Sequence, residues 1–177
     1  MNKLIKIIAI GLLLAGGAIS YIYTAPYSGN AGLSRMPGVR IGGNIVEPPD
    51  DFSIFNDVGT NLIMKLDGFP PFVVYLAYVG TPEGIITGTR PDGGYWPQRV
   101  REGRNEGWLR IGYETFSMKA TEIHGDARLP MLELWRPRAA RSARAIAQTA
   151  GTPPPTNSDS RNSEPQLLPE IFLWTPR

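Results

Sequence analysis

The sequence predicts an α+β fold: a six-stranded antiparallel β-barrel with two flanking helices, preceded by one N-terminal transmembrane helix. Three observations predict it. Short β-branched and aromatic runs recur between turn signals, among 20 Gly and 17 Pro in 177 residues. Two of the runs form a hairpin that is nearly continuously apolar, which requires burial on both faces or closure into a barrel. A helical pattern then separates a second hairpin from a last apolar run.

The first element is set apart from the rest. Leu4 to Tyr23 is almost wholly apolar, with Lys6 the only charge. The 17 uncharged positions from Ile7 to Tyr23 reach roughly 26 Å as a helix, close to bilayer thickness. Lys3 and Lys6 precede it, so the positive-inside rule puts the N-terminus in the cytoplasm and the remaining domain outside, across an inner (cytoplasmic) membrane. A cleaved signal peptide with Ala18-Ile19-Ser20 at the cut is the competing reading, leaving a secreted or periplasmic domain. A buried soluble helix is a third, disfavoured by all-round hydrophobicity.

Residues 25–51 are rich in Gly, Pro and Asn and read as a tether to a first ordered element near Asp51 or Phe52. The barrel domain spans 52–177. Asn61–Leu66 and Phe72–Val79 read as strands, and Gly80-Thr81-Pro82-Glu83-Gly84 as the turn to a partner strand at Gly84–Thr89. Arg90-Pro91-Asp92-Gly93-Gly94 is a further turn, and Tyr95–Glu102 a short helix with Gly103 as its stop. Gly107–Ile111 and Glu114–Ile123 flank Gly112-Tyr113, where glycine at the first central position fits a type II′ turn. That turn pairs Ile111 with Glu114 and Leu109 with Phe116, so Leu109, Ile111, Phe116 and Met118 face the core, while Arg110, Ser117 and Lys119 face away.

From Asp126, expected as an N-cap, the spacing of Leu129, Leu132, Trp135 and Ile146 is helical, with Pro137 as a break or kink. Arg138, Arg141 and Arg144 share one side, either as a solvated face or as one lying on anionic lipid; Ala140, Ala143, Ile146 and Ala147 form the expected packed side. Residues 151–169 are Pro-, Ser- and Asn-rich and read as a disordered loop. Glu170–Thr175 closes the domain as a strand.

Composition removes several function classes. With no cysteine there is no disulfide framework, thiol nucleophile, Cys-based zinc site or iron–sulfur cluster. One histidine, His124, cannot build a multi-histidine metal site, so no metal is expected, and it reads as a turn residue. A net charge of +2 and a pI near 9.0 are too weak a bias for nucleic acid. The basic side is mostly arginine, 14 Arg against 4 Lys, which suits bidentate contact with phosphate or carboxylate and also follows from arginine-favouring codon usage. No Gly-rich phosphate loop, nucleophile elbow or carboxylate pair is present, and no catalytic residue is assigned.

The order of elements, with Thr87-Gly88-Thr89-Arg90-Pro91-Asp92-Gly93-Gly94-Tyr95-Trp96 at its centre, resembles the pyridoxamine-phosphate-oxidase-like split β-barrel superfamily, nearest its deazaflavin-dependent nitroreductase-like branch. The likeness covers roughly residues 62–135 and the last strand, and it is one of layout. It implies FMN or a deazaflavin as cofactor, hydride transfer to a small organic acceptor, and a possible homodimer. The basic Gly-Arg-Lys-Ser/Thr-Gly hairpin of that branch is replaced here by Lys65-Leu66-Asp67-Gly68-Phe69-Pro70-Pro71.

The cofactor-binding candidates are Thr87, Thr89, Arg90, Tyr95, Trp96, Gln98 and Arg99. Hydroxyls, guanidinium groups and helix N–H groups would suit a phosphate, and Tyr95 and Trp96 a flat ring. The plainer reading makes Gly93-Gly94 a tight turn, Trp96 a core plug, and Arg99 and Arg101 solvated. Two functions follow: a membrane-anchored flavin- or deazaflavin-binding oxidoreductase, or a non-catalytic anchored barrel that binds a small molecule or a partner protein.

Overall fold

The computed structural model describes residues 3–24, 40–68, 73–89, 95–149 and 168–177. Helix α1 (Lys3–Thr24) is the apolar N-terminal segment, and none of its candidate span Lys3–Ser20 is buried. By length and composition it fits either a membrane span or a signal sequence. The expected turn at 90–94 and most of the expected disordered loop at 151–169 lie outside the described residues.

Strands β2 (Asn61–Leu66), β3 (Val73–Thr81), β4 (Gly84–Thr89), β5 (Glu106–Ile111), β6 (Glu114–Ile123) and β7 (Glu170–Pro176) form a closed barrel in the order β6-β5-β2-β3-β4-β7, with β7 returning to β6. All six pairings are antiparallel. Closure leaves these strands without a free edge. A two-residue strand β1 (Asn44–Ile45), within the stretch read as a tether, adds to β6 in parallel. Asn44 N–H donates to Tyr113 O at 2.7 Å and Val46 N–H to Thr115 O at 3.1 Å, fixing that segment along the hairpin.

The second hairpin has the expected register. Ile111 opposes Glu114 and Leu109 opposes Phe116. Gly112 has φ +59°, and no non-glycine described residue has positive φ, which matches type II′ rather than I′. Leu109, Ile111, Phe116 and Met118 are all buried. With Leu62, Met64, Leu66, Tyr78, Ile85, Phe172 and Trp174 they fill the lumen with side chains, as small barrels require.

The barrel's two ends are sealed by different devices. A 3₁₀ turn (Phe52–Phe55), capped by Asp51 accepting from Ser53 N–H at 2.8 Å, inserts Phe52 among the lumen residues. Phe52 meets Phe116 edge-on at 5.4 Å between ring centroids. Asn56 holds this turn to β3 through both amide atoms, donating to Gly80 O and accepting from Gly80 N–H. At the other device, helix α2 (Tyr95–Arg101) adds Trp96 and Val100 to the lumen cluster. Gly103 (φ +83°) ends it in a Schellman motif, with Gly103 N–H bonded to Val100 O and Arg104 N–H to Arg99 O.

Helix α3 (Arg128–Thr149) packs outside the barrel on β3, β4 and β7. Leu132 joins Val79, Ile86 and Ile171 in a second core, with Trp135 beside it. Trp135 donates from its indole to Ala77 O at 2.9 Å, and its ring lies so close over Gly88 that a Cβ there would meet it at 2.8 Å.

Three details of α3 depart from expectation. Asp126 is not its N-cap: it sits within a 3₁₀ turn (Gly125–Ala127) where His124 is the capping residue; the His124 side chain does not cap the turn but lies 3.7 Å from Glu122 Oε2. Pro137 does not break the helix, which continues to Thr149; Pro137 and Glu133 are both exposed, so water can take up the carbonyl that the missing N–H leaves. The packed side is also not the alanine side. The line begun by Leu132 and Trp135 continues through Ala139 and Ser142 at 3.6-residue spacing, leaving Ala140 and Ala143 exposed and Ala147 half-buried, while the Ile146 side chain lies outside the described residues. Buried Ser142 bonds Asn61 Oδ1 at 2.5 Å, and half-buried Arg138 lies 5.8 Å from the Tyr78 ring centre.

Candidate functional site

Six of the seven sequence-predicted cofactor residues are described, and they lie around the mouth where β4 ends and α2 begins. Inward positions on β4 alternate through Ile85 and Thr87 to Thr89, and Thr89 opposes Glu170 on β7. Thr87 is fully buried, and its hydroxyl accepts the indole N–H of Trp174 at 2.9 Å. Trp96 is 6% exposed and packs at 4.5 Å on Phe172 and 6.4 Å on Trp174. Both serve as core residues in this structure, so neither reaches a ligand outside.

The other candidates differ. Thr89 is half-buried, while Tyr95 and Gln98 are exposed on α2. Arg99 is 2% exposed and not solvated; its guanidinium stacks 5.1 Å from the Tyr95 ring centre. Arg90 lies outside the described residues. The accessible edge is therefore Thr89, Tyr95 and Gln98, backed by Arg99. A flavin placed there would have one exposed aromatic ring, Tyr95, instead of two.

Sequence reasoning missed the ion cluster that locks this mouth. Arg101 grips Glu122 with two bonds of 2.7 and 2.6 Å and approaches Glu170 at 2.8 Å. Phe172 opposes Glu122 across β6 and β7, so the two carboxylates stand on the lumen face above the packed rings. The bonds from Arg101 hold Glu122 below the usual carboxylate range, against burial that raises it, and the same bonds raise Arg101. No local signal could reveal a pairing between residues 21 and 69 positions apart along the chain.

A pH consequence follows from Glu122. Its folded pKa is depressed, so its stabilisation is present above the unfolded value of about 4.3 and is lost as pH falls through the folded value. Glu122→Gln should cost about 1–2 kcal/mol at neutral pH and flatten the acid limb of a stability-versus-pH curve. An unchanged acid limb in urea titrations would show that Glu122 is not the titrating group.

A second arrangement lies on the outer wall. A groove of about 350 Å³ is bounded by Arg40, Ile41, Gly42, Gly43, Ile45, Lys65, Trp108 and Thr115. Lys65 and Trp108 are register partners on β2 and β5. The facing wall is the β1 segment, held by Thr115 Oγ1 donating to Gly42 O at 2.8 Å and Arg110 Nη1 donating to Ile41 O at 3.0 Å. Arg177 stacks 5.2 Å from the Trp108 ring centre and pairs with Asp67 and Glu106, both at 3.0 Å. The groove thus offers one indole and two cationic side chains, Lys65 and Arg40, and no carboxylate. Neither residue type nor spacing points to it, because the sequence around β1 reads as a tether. Among the described residues no group of three or more His, Cys, Asp or Glu could hold a metal ion.

No protein-family model matches the chain, and no curated protein is similar to it in sequence. One solved structure similar to it is the crystal structure of HutZ, the heme storage protein from Vibrio cholerae. That alignment covers 70% of this chain and 86% of the other, at 14% identity and a TM-score of 0.39. What this chain displays on its own account is a closed six-stranded antiparallel barrel, sealed by α2 and a phenylalanine turn, with a cationic aromatic groove on its outer wall.

Proposed function

We propose that this is a membrane-anchored barrel of the split-barrel superfamily that binds a small anionic, ring-bearing molecule and performs no chemistry of its own. The observation that carries this reading is the outer groove, where Trp108 offers a flat wall and Lys65 and Arg40 offer positive charge beside it. Its volume of about 350 Å³ lies within the range of small-molecule sites. The filled lumen, and the internal use of Thr87 and Trp96, favour it over a site inside the barrel. Apolar α1 supports the anchor, with the N-terminus cytoplasmic and the barrel outside; secretion after cleavage is the alternative. A reporter fused after Arg177 should be active only outside the cytoplasm, and cytoplasmic activity would reverse the orientation.

The second reading is a flavin- or deazaflavin-dependent oxidoreductase of the nitroreductase-like branch, with its cofactor at the α2 edge and a homodimer as the working unit. It is favoured by exposed Tyr95 stacked on Arg99 beside Thr89. FMN, an anionic ring compound, separates the two readings. With the full chain in detergent, the binding reading expects saturable FMN binding that weakens about tenfold or more on Lys65→Ala or Trp108→Ala, and no reductase turnover. Cofactor-dependent turnover that is lost on Tyr95→Ala or Arg90→Ala would establish the enzyme reading instead. Absence of FMN binding at tens of micromolar would count against both.

A further inference from the structure

We infer that the outward face of α3 is a docking surface for an anionic lipid bilayer. The inference rests on the reading of α1 as a bilayer span, and its test is arranged so that the two can fail separately. Residues 134–149 contain four arginines and no acidic residue. One of the four, Arg138, is occupied by the fold: it lies over Tyr78 and donates to Gly59 O at 3.4 Å. The other three, Arg136, Arg141 and Arg144, are exposed.

Their placement on the helix points to a flat partner. At 100° per residue, Arg144 points directly away from the buried line of Leu132, Trp135, Ala139 and Ser142, and Arg136 and Arg141 flank it within about 80°. Leu129 and Leu134, exposed at 42% and 55%, fall within the same arc. Glu133 is the one carboxylate there. Arginines spread across a half-cylinder, with leucines beside them, can all meet a headgroup plane at once.

Chain length supplies the second argument. Fifteen residues, and so sixteen Cα–Cα steps, separate Thr24, the end of α1, from Arg40, the next described residue. Even fully extended they reach about 55 Å. An α1 that spans the bilayer therefore keeps the barrel permanently close to a surface, where weak attraction suffices because docking is intramolecular. Each arginine near an anionic surface contributes about fivefold to the docked ratio, so the three together contribute about a hundredfold, screened by salt.

The test uses the full chain, which contains no cysteine. Gln148→Cys places a single label on the exposed face, and an environment-sensitive fluorophore there reports burial in lipid. In phosphatidylcholine vesicles containing one-quarter phosphatidylglycerol, the emission should shift to the blue. In pure phosphatidylcholine it should not, and about 0.5 M salt should reverse it. Arg136→Gln with Arg141→Gln and Arg144→Gln should abolish the shift while the chain still floats with the vesicles. Floating chain with no shift in anionic vesicles overturns the docking surface and leaves the anchor intact. An equal shift in pure phosphatidylcholine, or with soluble polyglutamate, overturns the anionic-lipid assignment. Failure to float with phosphatidylcholine vesicles overturns the anchor; docking then stands only if the labelled chain still shifts with anionic vesicles, and falls otherwise.

Discussion

Trp174→Ala should remove about 3–5 kcal/mol of stability, a large share of the about 5–15 kcal/mol that holds a typical domain folded. The side chain is fully buried and sits where β7 meets two neighbours, opposite Ile85 on β4 and Ala120 on β6. It is thus at the seam that closes the barrel. Its ring touches Trp96 of α2, and its N–H satisfies the buried Thr87 hydroxyl. Truncation leaves a cavity and strips that hydroxyl of its donor. Trp174→Phe separates the two effects: it keeps most of the volume and should cost far less than the alanine, including about 1 kcal/mol for the lost bond. Urea unfolding of the full chain in detergent, followed by far-ultraviolet circular dichroism, measures both. A shift below 1 kcal/mol for the alanine variant would mean that the barrel does not close around this residue.

Gly80→Ala should be comparably damaging for an opposite reason. A Cβ on Gly80 would stand 2.0 Å from Phe52 O and 2.5 Å from the Phe52 carbonyl carbon. Both are backbone atoms, so no rotamer change relieves the clash. The turn carrying Phe52 would have to move away from β3, breaking the paired bonds from Asn56 and withdrawing Phe52 from the lumen. A cost of about 3 kcal/mol or more follows from lost packing and two lost part-buried bonds. Gly59→Ala, with open space around it, is the control and should be near neutral. If Gly80→Ala unfolded at the wild-type midpoint, the close crossing of this turn over β3 would be wrong.

These two positions also mark how far the sequence is legible. Strands at Asn61–Leu66 and Gly84–Thr89, the short helix stopped at Gly103, and the hairpin register around Gly112 are read correctly because each depends on neighbours within a few residues. Turn chemistry and alternation of side chains are local properties, and they survive folding unchanged. Gly80, by contrast, looks like half of a turn, yet its lack of a side chain serves a segment 28 residues earlier. The α3 face is missed for a related reason. Alanines look apolar in sequence, but the buried line was set by Leu132 and Trp135 and ran on into Ser142.

The candidate site divides in the same way. Thr87, Thr89, Tyr95, Trp96, Gln98 and Arg99 do gather at one mouth, because β4 runs toward α2 in the chain. Which of them face outward depends on the lumen: Trp96 and Thr87 are drawn in by Phe172 and Trp174, from a strand about 80 residues later. The Arg101–Glu122–Glu170 lock and the groove of Lys65, Trp108 and Arg40 arise wholly from such long-range pairings.

By itself, then, the sequence determined an apolar N-terminal helix, the six strands and two further helices, a hairpin register, and the exclusion of thiol and multi-histidine chemistry. Tertiary structure alone decided the closing pair of β7 with β6, which side chains the lumen consumes, and where cationic and aromatic groups remain open to a ligand. The physical reason is range. Backbone propensity and side-chain alternation act over a few residues, whereas closure of a barrel and exclusion of water depend on contacts between distant parts of the chain.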